Sequence, residues 1–504
     1  VSEFVANTPN QFYEIDVREI PRYEVYDDRI VVQDPVWGSE VIGDKPGDAV
    51  FLELVNNDLV LRSKGIEQLT LDPSSATIPG TSRLSRWEHM WGSTVFVRKM
   101  TEHMDISEHE RTLLQLRTFV SDLGHTAFSH LGDWMFQGAG GNEDQHDLEL
   151  GKLLEISGVN DTLRRHGFRP EEVIFPDIKD WIECKAPDLN VDRVDYAARE
   201  MKRWLDVDMD MHYMLQPESF QVSDSKLVLS DIERAKRFGK GYLLLASEHW
   251  SEPVHRVQLF LLEQMVRRVL TNDSGALHVS FMDTPNEFYP RDYLYAVDSD
   301  VLAAMQTRDE FMQIVSPLIS NIGLVKRQLF AYERQDHLRY FLSQDTNEYP
   351  NPLEHYDYFA SRYNKFPLLP SNLSIIPVDS KSEIEDFGTN PYTVDFFLTP
   401  LKPRTVDPLF KASDGTIQRL SEVDDNFKQL QQQHYALLMQ PYVARLHVNN
   451  ETKDLIEAGL RSNEKLWEEA LIRPRMKPER LREVLHDSAM YTAMSCMIDL
   501  QWYR

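Results

Sequence analysis

Residues 119–133 read Phe-Val-Ser-Asp-Leu-Gly-His-Thr-Ala-Phe-Ser-His-Leu-Gly-Asp. The spacing predicts a helix that carries Asp122, His125 and His130 within little more than two turns, with Val120, Leu123, Phe128 and Leu131 between them. Carboxylate and imidazole groups on an apolar segment are costly to bury unless they are paired or hold a metal. Several together are explained most simply by a functional site. Further out, His89 closes the run Ser-Arg-Trp-Glu-His at 85–89, and His146 lies in Gln-His-Asp at 145–147. Six of the 16 histidines fall from His89 to His146, which extends the cluster beyond the one stretch.

The 504 residues give ample chain for a large core and for more than one domain. With 42% hydrophobic and 27% charged residues, the chain falls among ordinary globular proteins rather than disordered ones. The best apolar run, at 241–246, is far shorter than the roughly 18 residues of a membrane-spanning helix. The first residues, Val-Ser-Glu-Phe-Val-Ala-Asn-Thr, hold no basic segment leading into an apolar one, so no secretory signal is expected there. A leader removed ahead of Val1 would leave no trace. The net charge of -27 argues against general electrostatic binding of nucleic acid. It still allows a local basic pocket for a phosphorylated small molecule. Cys184 and Cys496 have no metal-type spacing and read as free thiols of a cytoplasmic protein.

Three regions are expected: a strand-rich segment over 1–48, a helical core over 49–345 and an α+β region over 346–504. The fold class is mainly α. Helices are expected from about 49, from Arg86, and from Ser107, whose spacing to Glu110 is that of a capping box. Others are expected over 192–205, 253–270 and 299–345. Residues 72–85 read as a loop, and Gly138, Gly140 and Gly141 as a turn without the lysine of a phosphate-binding loop. The segment 227–246 is expected to hold a strand or two around Gly239-Lys240-Gly241.

Four pieces in order carry a resemblance: D-P-V-W-G at 34–38, S-R-W-E-H at 85–89, S-D-L-G-H-T-A-F-S-H at 121–130 and V-D-R-V-D-Y-A-A-R-E at 191–200. Together they resemble the HD-domain phosphohydrolases, and more narrowly the deoxynucleoside triphosphate triphosphohydrolase branch. The similarity covers roughly residues 30–330, with a weaker likeness around 420–430. It implies a helical HD core and a divalent metal (Mn, Fe, Mg, Ni or Zn) held by His89, Asp122 and Asp192. The family's fourth ligand position falls on Ser121, a neutral hydroxyl that would weaken the site.

The resemblance also implies that His125, His130 and His146 polarise the phosphate, activate water and protonate the leaving oxygen, with Asp147 orienting an imidazole. It places Gln68 and Leu69 near the sugar and base, Arg86 on phosphate, and Arg193, Tyr196 and Glu200 around the sugar and phosphates. Two further departures alter the implied pocket. Trp37 stands where the family has a histidine, and the later helix keeps His255 and Arg256 but has Leu259, Phe260 and Glu263 around the expected tyrosine and basic positions.

The expected function is a metal-dependent phosphohydrolase acting on a nucleotide or related phosphate ester, in a chain that forms homo-oligomers as its relatives do. The rival is a catalytically degenerate HD protein serving as a nucleotide-binding regulator or assembly scaffold. A nucleic-acid-cleaving role is opposed by the acidic charge. His103 and His109 read as a solvated face, Trp134 and Phe136 as packing, and the pair His486-Asp487 as lacking the partners of a site.

Overall fold

The computed structural model describes residues 22–68, 84–132, 145–174, 181–202, 216, 219–246, 250, 253–271, 296–304, 310–315, 373–377, 392–398, 405–439 and 442–472. The fold is mainly α, with short strands gathered in small sheets. Leu69, Trp134, Phe136, the Gly138–Gly141 turn, the His486-Asp487 pair and Cys496 lie outside the described residues.

The chain is built around one buried helix. Strands β1 (Arg22–Val25), β2 (Ile30–Asp34) and β3 (Gly38–Ile42) form an antiparallel meander. Short helices α1 (Ala49–Leu54) and α2 (Asp58–Arg62) follow, and then α3 (Arg86–Thr101). The Ser85 side chain caps α3 by accepting from the Glu88 N–H at 3.3 Å. Fourteen of the sixteen α3 residues are buried, so this helix has no solvent face to accept its polar groups. Its Arg86, His89 and Arg98 must therefore find partners inside. Arg98 finds Asp48 and Glu40, and the other two help to build the site described below.

Next come α4 (Glu108–Val120), α5 (Gln145–Ile156), α6 (Val159–Arg165), α7 (Pro170–Ile174) and α8 (Val191–Glu200), of which α4 and α8 pack directly on α3. The predicted cap at Ser107 is present: its hydroxyl accepts from the Glu110 N–H at 3.2 Å. Trp91 of α3 packs edge-on against Phe119 of α4 with ring centroids 4.8 Å apart, and Phe96 stacks on Trp37 at 4.1 Å. His109 is exposed and stacks flat on Phe168, at 4.8 Å between centroids.

Strands β4 (Phe220–Ser223) and β5 (Lys226–Leu229) lead into α9 (Ile232–Leu245). The strands expected around Gly239 are corrected here, because that part of the segment is helical. Gly239 serves packing rather than extension: a β-carbon there would sit 2.6 Å from the Phe427 ring. Helices α10 (Pro253–Thr271) and α11 (Asp298–Ala304) follow.

The C-terminal region holds β6 (Leu373–Pro377), β7 (Thr393–Leu398), β8 (Leu409–Lys411), β9 (Ile417–Arg419), α12 (Leu420–Val423), α13 (Asp425–Met439), β10 (Tyr442–His447) and α14 (Asn450–Ile472). Strand β10 lies between β6 and β7, antiparallel to both. Hydrogen bonding crosses position 345: β5 pairs in parallel with β8 to complete the sheet β4-β5-β8-β9. Asn463 of α14 bonds Gln264 and Arg268 of α10. Among the described residues, no helix is long and apolar enough to cross a membrane.

Candidate metal centre and histidine cluster

The helix predicted through 119–133 stops at Val120, which is a correction with a local cause. A 3-10 turn, Ser121–Gly124, follows α4, and His125 is extended. Gly124 passes so close to α5 that a β-carbon there would lie 2.3 Å from the His146 carbonyl oxygen. Phe128 and Ser129 then take left-handed backbone angles, φ 61° and 52°. The carbonyls released by leaving the helix are met by Arg62, whose Nη2 donates to Leu123 O at 3.1 Å and to His125 O.

This turn brings two groups of side chains together. In the first, His89 Nε2 lies 2.9 Å from Asp192 Oδ1 and 3.3 Å from Asp122 Oδ2. Its Nδ1 lies 2.7 Å from Asp195 Oδ2. In the second group, His125 and His146 stack with centroids 3.9 Å apart and planes 19° from parallel. His130 stands nearly perpendicular to His125 at 4.8 Å. Asp147 Oδ1 is 3.5 Å from His146 Nε2. Asp122 faces both groups, because its Oδ1 lies 2.9 Å from Arg86 Nη1 and 3.5 Å from His125 Nε2.

The first group fits a divalent metal. One imidazole nitrogen and two carboxylate oxygens lie within 4.8 Å of one another, a donor set suited to Mn, Fe, Mg or Zn. Asp122 Oδ2 is buried and has no hydrogen-bond partner; its 3.3 Å approach to His89 is an ion-pair distance only. The Asp195 carboxylate takes the Nδ1 side of His89, which leaves Nε2 for the donor group, as a histidine ligand requires. Asp122 pairs with Arg86, Asp34 and Asp195 pair with Arg199, and Asp192 pairs with His89, so the carboxylates outnumber these two guanidiniums and favour either a proton on His89 or a cation.

In the metal-free chain that proton is held firmly. Burial opposes charge on His89, but Asp122, Asp192 and Asp195 outweigh it and raise its pKa to about 10. Asp192 is desolvated, yet its bond to His89 lowers its pKa to about 2. His125 behaves in the opposite way. Burial, and then the charges of Arg86, His146, His130 and His89, hold it well below the ordinary range, so it is neutral.

A shell around His89 was not assigned from sequence. Asp195 accepts from Trp37 Nε1 and from Arg199 Nε at 2.8 Å, and Arg199 also pairs with Asp34. Trp37 thus contributes an N–H to the site from the position where the resemblance expects histidine. The signal was present in V-D-R-V-D-Y: Asp195 follows Asp192 by three residues and Arg199 follows Asp195 by four, one face of a helix. Gly92 makes the arrangement possible, since a β-carbon there would sit 1.4 Å from Arg199 Nη2.

The remaining predicted residues divide. Arg86 is buried beside the site, shared by Asp122, the Ser129 hydroxyl at 3.1 Å and the Gln68 carbonyl at 3.4 Å. Gln68 is buried, with no hydrogen-bond partner for Oε1. The Tyr196 ring lies 6.3 Å from that of His89, and its hydroxyl is 2.8 Å from that of Tyr242. Glu200 is buried and accepts from Trp250 Nε1. Arg193 donates to the carbonyls of Asp188 and Cys184. The Ser121 hydroxyl donates back to Thr118 O at 3.1 Å. His255 and Arg256 are buried on α10, where Glu263 pairs with Arg267 at 2.6 Å.

The fold and site define a mainly helical protein with a His/Asp donor group abutting a three-histidine cluster. No family model matches the chain. It is similar to the uncharacterized protein YdhJ of Bacillus subtilis, 26% identical over 244 residues that cover 48% of this chain and 69% of the relative. It is also similar to the metal-dependent phosphohydrolase cns2 of Cordyceps militaris, 26% identical over 237 residues, 45% of this chain and 63% of that relative, which is less than two thirds of its length. Among solved structures it is similar to a phosphohydrolase from Bacteroides thetaiotaomicron (TM-score 0.48, 15% identity, 83% of this chain and 99% of the other). A hypothetical protein from Aquifex aeolicus gives a TM-score of 0.47 at 14% identity, covering 88% of this chain and 100% of the other.

Proposed function

We propose that this chain is a metal-dependent phosphohydrolase of the HD type, acting on a nucleotide of the deoxynucleoside triphosphate kind or a related phosphate ester. The observation that carries the reading is Asp122, one carboxylate facing both the His89 donor group and the His125 ring. The four sequence motifs and the name of the Cordyceps militaris relative support the same class.

His89, Asp122 and Asp192 would hold the metal. A divalent ion there supplies polarisation of a phosphoryl oxygen and a more acidic water. The chain's own groups do the rest. Asp195 fixes the tautomer of His89, and Arg86 holds Asp122 in place. His125 is neutral, so its imidazole is in the form that accepts a proton. His130 and His146 lie against it and can pass a proton toward the leaving oxygen, with Asp147 beside His146. Gln68, Arg86, Tyr196 and Glu200 border the substrate side in this reading, and Arg193 lies beside them.

Metal analysis of the purified chain, followed by hydrolysis of a panel of nucleotides and phosphate esters with Mn²⁺, Fe²⁺, Mg²⁺, Ni²⁺ and Zn²⁺, tests the proposal. Asp122→Ala should abolish both metal retention and turnover. His125→Ala should retain metal and lose roughly 10²- to 10⁴-fold in rate. If no divalent metal co-purifies and none restores hydrolysis of any substrate, the enzyme reading fails. The Ser121 hydroxyl, turned back onto Thr118, favours the alternative of a degenerate nucleotide-binding regulator or scaffold. Saturable nucleotide binding without turnover would select it.

A further inference from the structure

We propose that Asp298, more than 160 residues from the histidine turn in sequence, is a positioning residue of the active site. Asp298 opens α11 and is buried, 1% exposed. Its Oδ1 accepts from the Phe128 N–H at 2.7 Å and its Oδ2 from the Glu67 N–H at 2.9 Å. One carboxylate thus grips two backbone segments, the turn carrying His125 and His130 and the stretch carrying Gln68. A charged acceptor for two backbone amides is a strong, directional clamp.

The turn needs one. Phe128 and Ser129 both hold left-handed angles that side-chain-bearing residues avoid, and such a conformation persists only where its surroundings over-determine it. The pair lies between His125 and His130 and sets the course of the chain from one ring to the other. A second tie runs along the same seam. The Ser129 hydroxyl donates to the Glu67 carbonyl and accepts from Arg86 Nε at 3.1 Å. The approach of α11 is itself built in. A β-carbon at Gly65 would sit 2.8 Å from the Val297 side chain, so only glycine lets residue 297 come close enough to put Asp298 within reach of Glu67. None of the bonds named here touches His89 or Asp192. Asp298's own two bonds therefore hold the histidine side of the site and the Gln68 stretch, while Ser129, through Arg86, carries the seam on to Asp122 of the donor group.

This inference rests on the phosphohydrolase reading for its kinetic consequence but not for its structural one, and the experiment separates the two. Asp298→Asn keeps one acceptor oxygen and turns an amide toward the other N–H, so one of the two bonds is lost. The expected result is about 100-fold lower kcat, since displacements near 1 Å cost that much, with metal content unchanged and KM moved far less. Hydrogen exchange should accelerate in peptides covering 64–68 and 122–131 and stay unchanged over 86–101. Asp298→Glu retains both oxygens and should recover part of the rate. Should Asp298→Asn fail to fold, Ser129→Ala tests the same seam by rate and by exchange over 64–68 and 122–131, because its bond to Arg86, the partner of Asp122, couples metal content and 86–101 to the same change. Unchanged exchange at both segments, loss of metal together with rate, or full activity in Asp298→Asn would each overturn the proposal. A wild-type chain that hydrolyses nothing, while exchange responds as stated, would remove the enzyme reading and leave the clamp standing.

Discussion

Replacing Gly92 by alanine tests the shell behind His89. In an exposed helix interior the change would stabilise by about 1 kcal/mol, because glycine is the poorer helix former. Here the added β-carbon would lie 1.4 Å from Arg199 Nη2 and 2.7 Å from Asp195 Oδ1. The end of an arginine can usually swing aside. This one is buried and pinned to Asp34 and Asp195 on both sides, so moving it strands buried carboxylates. Breaking a buried pair in that way costs about 3–5 kcal/mol. Set against the propensity gain, the net expectation is a destabilisation of about 2–4 kcal/mol. A second consequence follows through Asp195, which loses its anchor and no longer holds His89 Nδ1. Disturbing such an outer partner typically weakens metal binding about 10- to 100-fold. Urea denaturation and Mn²⁺ titration of the same preparation measure both effects. An alanine variant as stable as the wild type, with unaltered Mn²⁺ affinity, would refute the account of Gly92 as the space that Arg199 occupies.

Two other outcomes are expected. In the metal-free chain the His89 pKa is raised to about 10 from an ordinary 6.5, so its ion-pair contribution to stability is fully present below 6.5 and fades as pH rises through about 10. A metal must displace that proton, so binding should release about one proton per ion and tighten as pH rises toward 10, as calorimetry in buffers of different ionisation enthalpy would report; pH-independent Mn²⁺ affinity between pH 7 and 9, taken as assay conditions of about those values, would contradict the assignment of His89 as ligand. Ser121→His forfeits only the half-buried hydroxyl bond to Thr118, worth about 1 kcal/mol, and should raise metal content measured by elemental analysis. No gain in metal would show that position 121 does not address the donor group.

Much of the site was legible in the residue types alone. Imidazoles and carboxylates at His89, Asp122, His125, His130, His146 and Asp192 are expensive to scatter through an apolar core, and the structure does bring them together. The caps at Ser85 and Ser107 were equally local, because a hydroxyl reaching a backbone N–H three residues on depends only on neighbours. The helix drawn through 119–133 was misread for the complementary reason. Apolar spacing is blind to the His146 carbonyl pressing on Gly124 and to the Asp298 carboxylate holding Phe128 in a left-handed angle. The strands expected around Gly239-Lys240-Gly241 give way to a helix in which Gly239 lies against the Phe427 ring, a contact that local sequence does not show.

What the sequence determined by itself is the chemistry available: a mainly helical chain with a His/Asp donor group and a cluster of histidines carried on a few short motifs. Tertiary structure alone decided how those groups are aimed. Asp34, Arg199 and Asp195 orient His89, and Asp298 shapes the histidine turn, through contacts between residues as much as 170 positions apart. The physical reason is that a side chain's identity is local, whereas the partner that satisfies a buried charge or an orphaned N–H is selected only when distant segments close around it.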